Sequence, residues 1–232
     1  AKPDCLFTEF TNVDGLNSDG FAKTIDKFKF SQKQRPIVAQ IWGTNPENFY
    51  KSAKLIEKLG FDGIDINMGC PDRAVVKIGA GSALIENHSL VKEIIEAVRK
   101  GSKKLPISIK TRLGIKTIIT EDWITSLLEQ RIDALSIHGR TAKELSLVPT
   151  NWEEIAKAVE IKNRISPNTL IIGNGDVTSY KEVIEKYNKY KVDGVMIGRG
   201  IFANPWIFEK VNKVHSIDES KKILTKHLNL LN

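Results

Sequence analysis

Apolar residues along this chain fall into two recurring patterns. Short runs alternate with polar residues or stand together, and longer stretches carry apolar positions three and four apart; the first pattern predicts strands and the second helices. Strands are expected at residues 5–10, 37–42, 63–68, 107–112, 134–138, 169–172 and 194–197. Between them, Phe49, Ala53, Ile56 and Leu59 recur at helical spacing, with Thr44 or Asn45 as the cap, Pro46 at the first position and Gly60 at the end. Further helices are marked by Val91, Ile94, Ile95 and Val98, and by Ile124, Leu127 and Leu128. Trp152, Ile155, Ala156 and Val159 form another stripe behind a capping box at 150–153, and one more helix opens near Ser179.

Strict alternation of strands and helices implies a parallel sheet with right-handed crossovers, either an open doubly wound sheet or a closed barrel. The polar residues favour an α/β fold of the (β/α)₈ TIM barrel type. Gln40, Asn67, Lys110, His138, Asn174 and Arg199 lie at or just past the C-terminal ends of six different strands, which converge on one mouth only if the sheet closes. Seven strands are one short of that barrel.

At 232 residues and 41% hydrophobic, the chain is long enough for one large-cored domain. It contains no apolar run of about 18 residues and no charged-then-apolar leader, so neither a membrane span nor secretion is expected, and the cytoplasm is the default. Two cysteines and four histidines without CxxC or HExxH spacing predict no metal and no disulfide framework. A formal charge of +7 and a pI near 9.3 suit a polyanionic partner, although a lysine-rich solvated face gives the same sum.

Cys70 stands between Gly69 and Pro71 just after an apolar strand, where its thiol can reach a ligand, whereas a structural cysteine usually sits inside an apolar run. On that ground Cys5 reads as a small core residue. Lys110 falls within the alternation ISIKTR, as a buried cation awaiting an anion or as a strand-end lysine reaching solvent. His138 ends an apolar strand, as a core residue or as part of a site. The turns at Asn174, Gly175 and Asp176 and at Gly198, Arg199 and Gly200 follow the last two strands, where barrels often bind phosphate through backbone N–H groups; ordinary strand-end turns are the alternative. The glycine-rich segment 79–83 partly mimics a dinucleotide loop, but it does not follow a strand directly.

The segment Asn67-Met68-Gly69-Cys70-Pro71, followed by Gly79-Ala80-Gly81-Ser82-Ala83, closely resembles the signature of the dihydrouridine synthases, flavin enzymes that reduce uridine in tRNA. Five separated motifs occur in family order, including Ile-His-Gly-Arg-Thr at 137–141. The resemblance implies bound FMN, NADPH as reductant and tRNA as substrate, with hydride passing from flavin to C6 of the base. Cys70 is then the acid that protonates C5; an ordinary thiol is mostly protonated at neutral pH. It further implies FMN contacts by Gln40, Lys110, His138, Asn174, Gly175, Asp176, Gly198 and Arg199, and substrate contacts by Asn67 and Arg140. Glu9 resembles part of a family Thr-Glu pair. Family members begin with a strand ending Ala-Pro-Met, which this chain lacks, so residues 1–208 are expected to be the barrel without its first strand. Residues 209–232 are expected to open a C-terminal helical tRNA-binding region, and a monomer is expected. The rival readings are a barrel acting on a free pyrimidine, as dihydroorotate dehydrogenases do, and a non-catalytic RNA-binding protein.

Overall fold

The computed structural model describes residues 2–210 and 213–231. In chain order the elements are β1 (Leu6–Phe7), β2 (Thr11–Asn12), α1 (Val13–Leu16), α2 (Phe21–Thr24), β3 (Ile37–Trp42), α3 (Pro46–Leu59), β4 (Gly63–Met68), α4 (Arg73–Lys77), α5 (His88–Gly101), β5 (Ile107–Arg112), α6 (Thr120–Leu128), β6 (Ala134–His138), α7 (Trp152–Ile165), β7 (Leu170–Asn174), α8 (Tyr180–Tyr190), β8 (Gly194–Met196), α9 (Gly200–Ala203) and α10 (Ile217–Leu231).

All strand pairs are parallel, in the order β1, β3, β4, β5, β6, β7, β8, with β2 also on β3. This is a curled TIM-barrel-like sheet whose described ends, β1 and β8, do not pair with each other. Each strand presents alternate residues to two faces. Ile64, Ile66, Met68, Ile109, Leu135, Ile137 and Ile171 pack outward under the helices and are fully buried. The inner face carries Gln40, Asp65, Asn67, Ser108, Lys110, Arg112, Ser136, His138 and Asn174, matched strand to strand by register. Outside the sheet, α3 packs on α5 and α6 on α7.

Local chemistry sets the helix ends. Asn45 caps α3 by accepting from the N–H groups of Glu47 and Asn48, Pro46 occupies the first turn, and Gly60 ends the helix at φ 79°, a left-handed conformation that costs glycine little. The predicted capping box at 150–153 is displaced by one residue: Asn151 caps α7, accepting from Glu154 N. Thr150 is drawn away because its N–H and hydroxyl both donate to Asp176.

Three other expectations change. The first strand is broken into β1 and β2 around Thr8–Phe10, where the Thr8 hydroxyl oxygen replaces a main-chain acceptor and takes the Gln40 N–H at 3.0 Å. Cys5, expected in the core, is exposed, because it precedes a two-residue strand on the edge of the sheet. The strand expected at 169–172 runs instead to Asn174, carried on by the pairing of Gly173 and Asn174 with Ile137 and His138.

At the opposite ends of the strands one device repeats three times. Asp62, Asp133 and Asp193 each stand one residue before a strand, and each carboxylate accepts an N–H at the start of the preceding strand, from its first residue in Ile37 at 2.8 Å and Ile107 at 2.7 Å and from its second in Ile171 at 2.8 Å. Each aspartate N–H donates back to the carbonyl of that same isoleucine.

After Trp206 stacks on His215, at 3.9 Å between ring centres, α10 starts at a reciprocal cap. Ser216 and Glu219 each accept the other's N–H through their side chains. Ile217, Leu224 and Leu228 on α10 are exposed. No helix among the described residues is long and apolar enough to cross a membrane.

Candidate active site

The Cys70 turn is held on three sides. Asn67 Oδ1 accepts the N–H groups of Gly69 at 3.2 Å and Cys70 at 2.9 Å, bending the chain sharply as β4 ends. The Cys70 carbonyl accepts Ser82 N–H at 2.9 Å, so the glycine-rich segment closes onto the cysteine. Gly81 is required there: its φ is 60°, and a Cβ would lie 2.6 Å from the Cys70 carbonyl oxygen. From the third side Arg112, 7% exposed, donates through Nε to the Gly69 carbonyl at 2.9 Å and through Nη1 to the carbonyls of Thr141 and Leu145. Cys70 itself remains half-buried.

Below the turn lies a buried polar chain. Asp65 is fully buried and accepts from Ser108 Oγ at 2.5 Å and Gln40 Nε2 at 2.7 Å. Gln40 Oε1 in turn accepts from Asn67 Nδ2 at 3.0 Å. Burial pushes the Asp65 carboxyl up to about 6, although the bonds from Ser108 and Gln40 and the Lys110 charge oppose it. Burial also pulls the Lys110 ammonium down to about 8, with Asp65 opposing and Arg112 adding to the fall. Lys110 Nζ donates to Asn174 Oδ1 at 3.2 Å, across the inner face from β5 to β7, and the other end of that amide donates to the Met196 carbonyl. No carboxylate among the described residues forms an ion pair with Lys110.

A second cluster lies where β6 and β7 end. Arg140, 3% exposed, donates to the Val148 carbonyl, to Asp176 and to His138 Nε2 at 3.1 Å. Burial, then the charges of Arg112, Lys110 and Arg140, lower His138 to about 3, so the ring is neutral. With Nε2 accepting from a guanidinium, the His138 proton belongs on Nδ1. Burial raises the Asp176 carboxyl, but the bonds from Arg140 and Thr150 outweigh it and hold the group below its ordinary range.

The predicted residues therefore gather at one end of the sheet, in connected groups. Gln40, Asn67 and Cys70 are linked, as are Lys110 and Asn174, and His138, Arg140 and Asp176. Gly175, at φ 132°, packs so closely on Thr150 and His138 that a Cβ would stand 2.5 Å from Thr150 Oγ1. The two glycine turns adjoin: a Cβ on Gly200 would lie 2.5 Å from the Val177 carbonyl oxygen, while one on Gly198 would meet nothing within 4 Å. Arg199 is exposed, and Arg140 directs its bonds inward. Glu9 is exposed and 3.8 Å from Lys27.

Asp65, Arg112 and Ser136 were not singled out by the sequence. Their signal was parity: Asp65 is two residues before Asn67, and Arg112 two after Lys110, on the same inner face. Ser136 lies beside Lys110 in register, with its buried hydroxyl lacking a protein partner.

A curled parallel sheet with its polar residues gathered at the strand C-terminal ends defines a TIM-barrel enzyme. The chain belongs to the dihydrouridine synthase family, whose model, described as Dihydrouridine synthase (Dus), matches residues 8–231. It is 45% identical over 234 residues to a "Probable tRNA-dihydrouridine synthase" of Staphylococcus aureus (strain MRSA252), covering 100% of this chain and 71% of that protein. It is 43% identical over 231 residues to "Probable tRNA-dihydrouridine synthase 2" of Bacillus subtilis (strain 168), covering 99% and 70%. Among solved structures, DHODH from Eimeria tenella in complex with ferulenol aligns at TM-score 0.59 and 12% identity over 83% of this chain and 63% of that one. A variant of NCR from Zymomonas mobilis aligns at 0.55 and 17% over 93% and 79%. At these identities the two structures share the fold.

Proposed function

We propose that this chain is the catalytic part of an FMN-dependent tRNA-dihydrouridine synthase that reduces the C5=C6 bond of uridine, with NADPH as the source of electrons. The observation that carries this reading is the Cys70 turn, braced by Asn67, Gly81 and Arg112 directly beside the polar inner face. The inner face fits a flavin: Lys110 has a cation without an ion-pair partner, Ser136 has an unsatisfied buried hydroxyl, and the backbone at Gly198 is open. Gln40, Lys110, His138 and Asn174 would hold the ring and its side chain. Gly175, Asp176, Gly198 and Arg199 would receive the phosphate, Asp176 through its backbone because its carboxylate is engaged by Arg140 and Thr150. When bound, FMN supplies the hydride that reaches C6 of the base.

Cys70 gives its proton to C5 from the opposite side of the reaction, and the half-buried turn limits water at that point. Asn67 has both oxygen lone pairs engaged, which leaves one N–H as a donor for a uracil carbonyl. Arg140 serves the substrate indirectly, by fixing the His138 tautomer and the strand-end turn at Asp176. The target uridine must leave its stack to reach this depth. Residues 1–208 form the catalytic unit, and α10, with its exposed stripe, opens the region that grips the tRNA.

The test is an anaerobic absorption titration of the FMN-loaded protein. Flavin bands that bleach with NADPH and return on addition of unmodified tRNA, together with a Cys70→Ala variant that stays yellow but forms little dihydrouridine, are the expected results. A protein that takes up no flavin, or a Cys70→Ala variant with normal turnover, would overturn the reading.

A further inference from the structure

The buried polar chain beneath the cysteine turn has a direction. It starts at Ser108 and Asp65, passes through the Gln40 and Asn67 side-chain amides, and ends on the backbone N–H groups of Gly69 and Cys70. An amide can face a neighbour with either its oxygen or its NH2, so two amides in series can be arranged in several ways. Here both ends allow only one. An ionised carboxylate accepts and does not donate, so Gln40 must turn its NH2 to Asp65 and its oxygen to Asn67. Asn67 must then turn its NH2 to Gln40, which leaves its oxygen for the two N–H groups of the cysteine turn.

We propose that Asp65 is a positioning residue of this enzyme: as an acceptor-only anchor it fixes the orientation of the Gln40 and Asn67 amides, and through them the position of Cys70. The role in positioning an acid rests on the function proposed above; the hydrogen-bond polarity does not. Neither of the other described side-chain neighbours of Asp65 on the inner face can do this work. Ser108 can donate or accept, and Lys110 directs its described hydrogen bond to Asn174. Gln40 and Asn67 are each 7% exposed, so a wrongly turned amide would have no water to compensate it. Reversing Asn67 would set its NH2 against the N–H groups of Gly69 and Cys70 and release the turn; reversing Gln40 would set its NH2 against that of Asn67 and force Asn67 to turn in the same way.

The experiment is residue-resolved amide hydrogen exchange on the whole chain, for the wild type, Asp65→Leu, Asp65→Asn and Gln40→Met. Asp65→Leu removes the acceptor. Exchange at Gly69 and Cys70 should then rise about tenfold, the equivalent of one net hydrogen bond, while the Ile64 and Ile66 amides of β4 keep their protection. Asp65→Asn can still present a carbonyl oxygen to Gln40 and donate to Ser108, so it should restore protection at Gly69 and Cys70. Gln40→Met cuts the chain one link further on and should reproduce the local loss even if Asp65→Leu does not fold. Unchanged protection at Gly69 and Cys70 in a folded Leu or Met variant would overturn the proposal. So would a rise of equal size throughout β4, which marks general loosening. Exchange needs neither flavin nor tRNA, so selective loss in a protein that reduces no uridine would support the anchor and refute only the functional reading.

Discussion

Replacing Lys110 by methionine should make the flavin-free protein more stable while making it a worse enzyme. The Lys110 ammonium falls from 10.5 to about 8 on folding, chiefly because burial disfavours its charge. At about 1.36 kcal/mol per pKa unit, holding that cation in place costs roughly 3 kcal/mol near neutrality. Methionine keeps most of the volume and removes the charge. Against that gain stands the hydrogen bond to Asn174, worth about 1 kcal/mol; the attraction of Asp65 is already contained in the net fall of the Lys110 ammonium. The net is a stabilisation of about 2 kcal/mol, or a rise in melting temperature of about 4–8 °C for a chain of this size. The pH dependence gives the sharper signature. The folded chain binds this proton less readily than the unfolded chain, so wild-type stability gains from Lys110 as pH rises from about 8 to 10.5, and the full penalty is present below about 8. The difference between variant and wild type in urea unfolding should therefore be largest near neutrality and shrink toward about pH 10. A Lys110→Met protein less stable than wild type at neutral pH, or a difference that does not change with pH, would refute this account of Lys110. The same variant should retain FMN poorly after gel filtration.

Arg112→Met should destabilise the chain by about 2–4 kcal/mol in urea unfolding, since three backbone carbonyls lose a charged donor, with Arg112→Lys recovering part of the loss. In a Cys5→Ser background, alkylation of Cys70 should also be faster in Arg112→Met. His138, lowered to about 3, should show no ring titration by NMR between about pH 5 and 8. Its burial as a neutral ring should cost stability only as pH falls from 6.5 toward about 3, where the unfolded chain takes up the proton first. Gly173→Ala should lower stability by about 1–3 kcal/mol in thermal unfolding, because a Cβ there would lie 2.7 Å from Trp152 Cη2, within the packed layer between β7 and α7.

The sheet and its helices were legible wherever a single physical demand shaped the local sequence. The stripe Val91, Ile94, Ile95 and Val98 has one face to bury, and all four residues are buried as the spacing predicted. The glycine–cysteine–proline break after β4 likewise marked a turn that the structure places at the site. What escaped depends on partners distant along the chain. Thr150 looks like a cap until Asp176, 26 residues later, claims it. Thr8 looks like an ordinary strand residue until its hydroxyl is seen in the ladder of β3, 32 residues away. Gly173 and Asn174 read as a turn by composition, yet register with β6 keeps them in the strand. Asp65 was visible only as the polar half of an alternation. That a carboxylate could be fully buried there depends on Gln40 and Ser108, which come from two other strands.

The three aspartates at the foot of the sheet have an implication for how such a chain can change over generations. Each ties one pair of strands together at the end away from the chemistry, using a carboxylate and the two polar groups of a single isoleucine. The sheet is thus fastened like a fan at its pivot, rib by rib, while the free ends carry the working residues. Substitutions at the open ends can alter which ligand is met without disturbing the fastening. Conversely, a weakened fastening at one rib can be offset at another, so robustness and chemical novelty become separately adjustable traits.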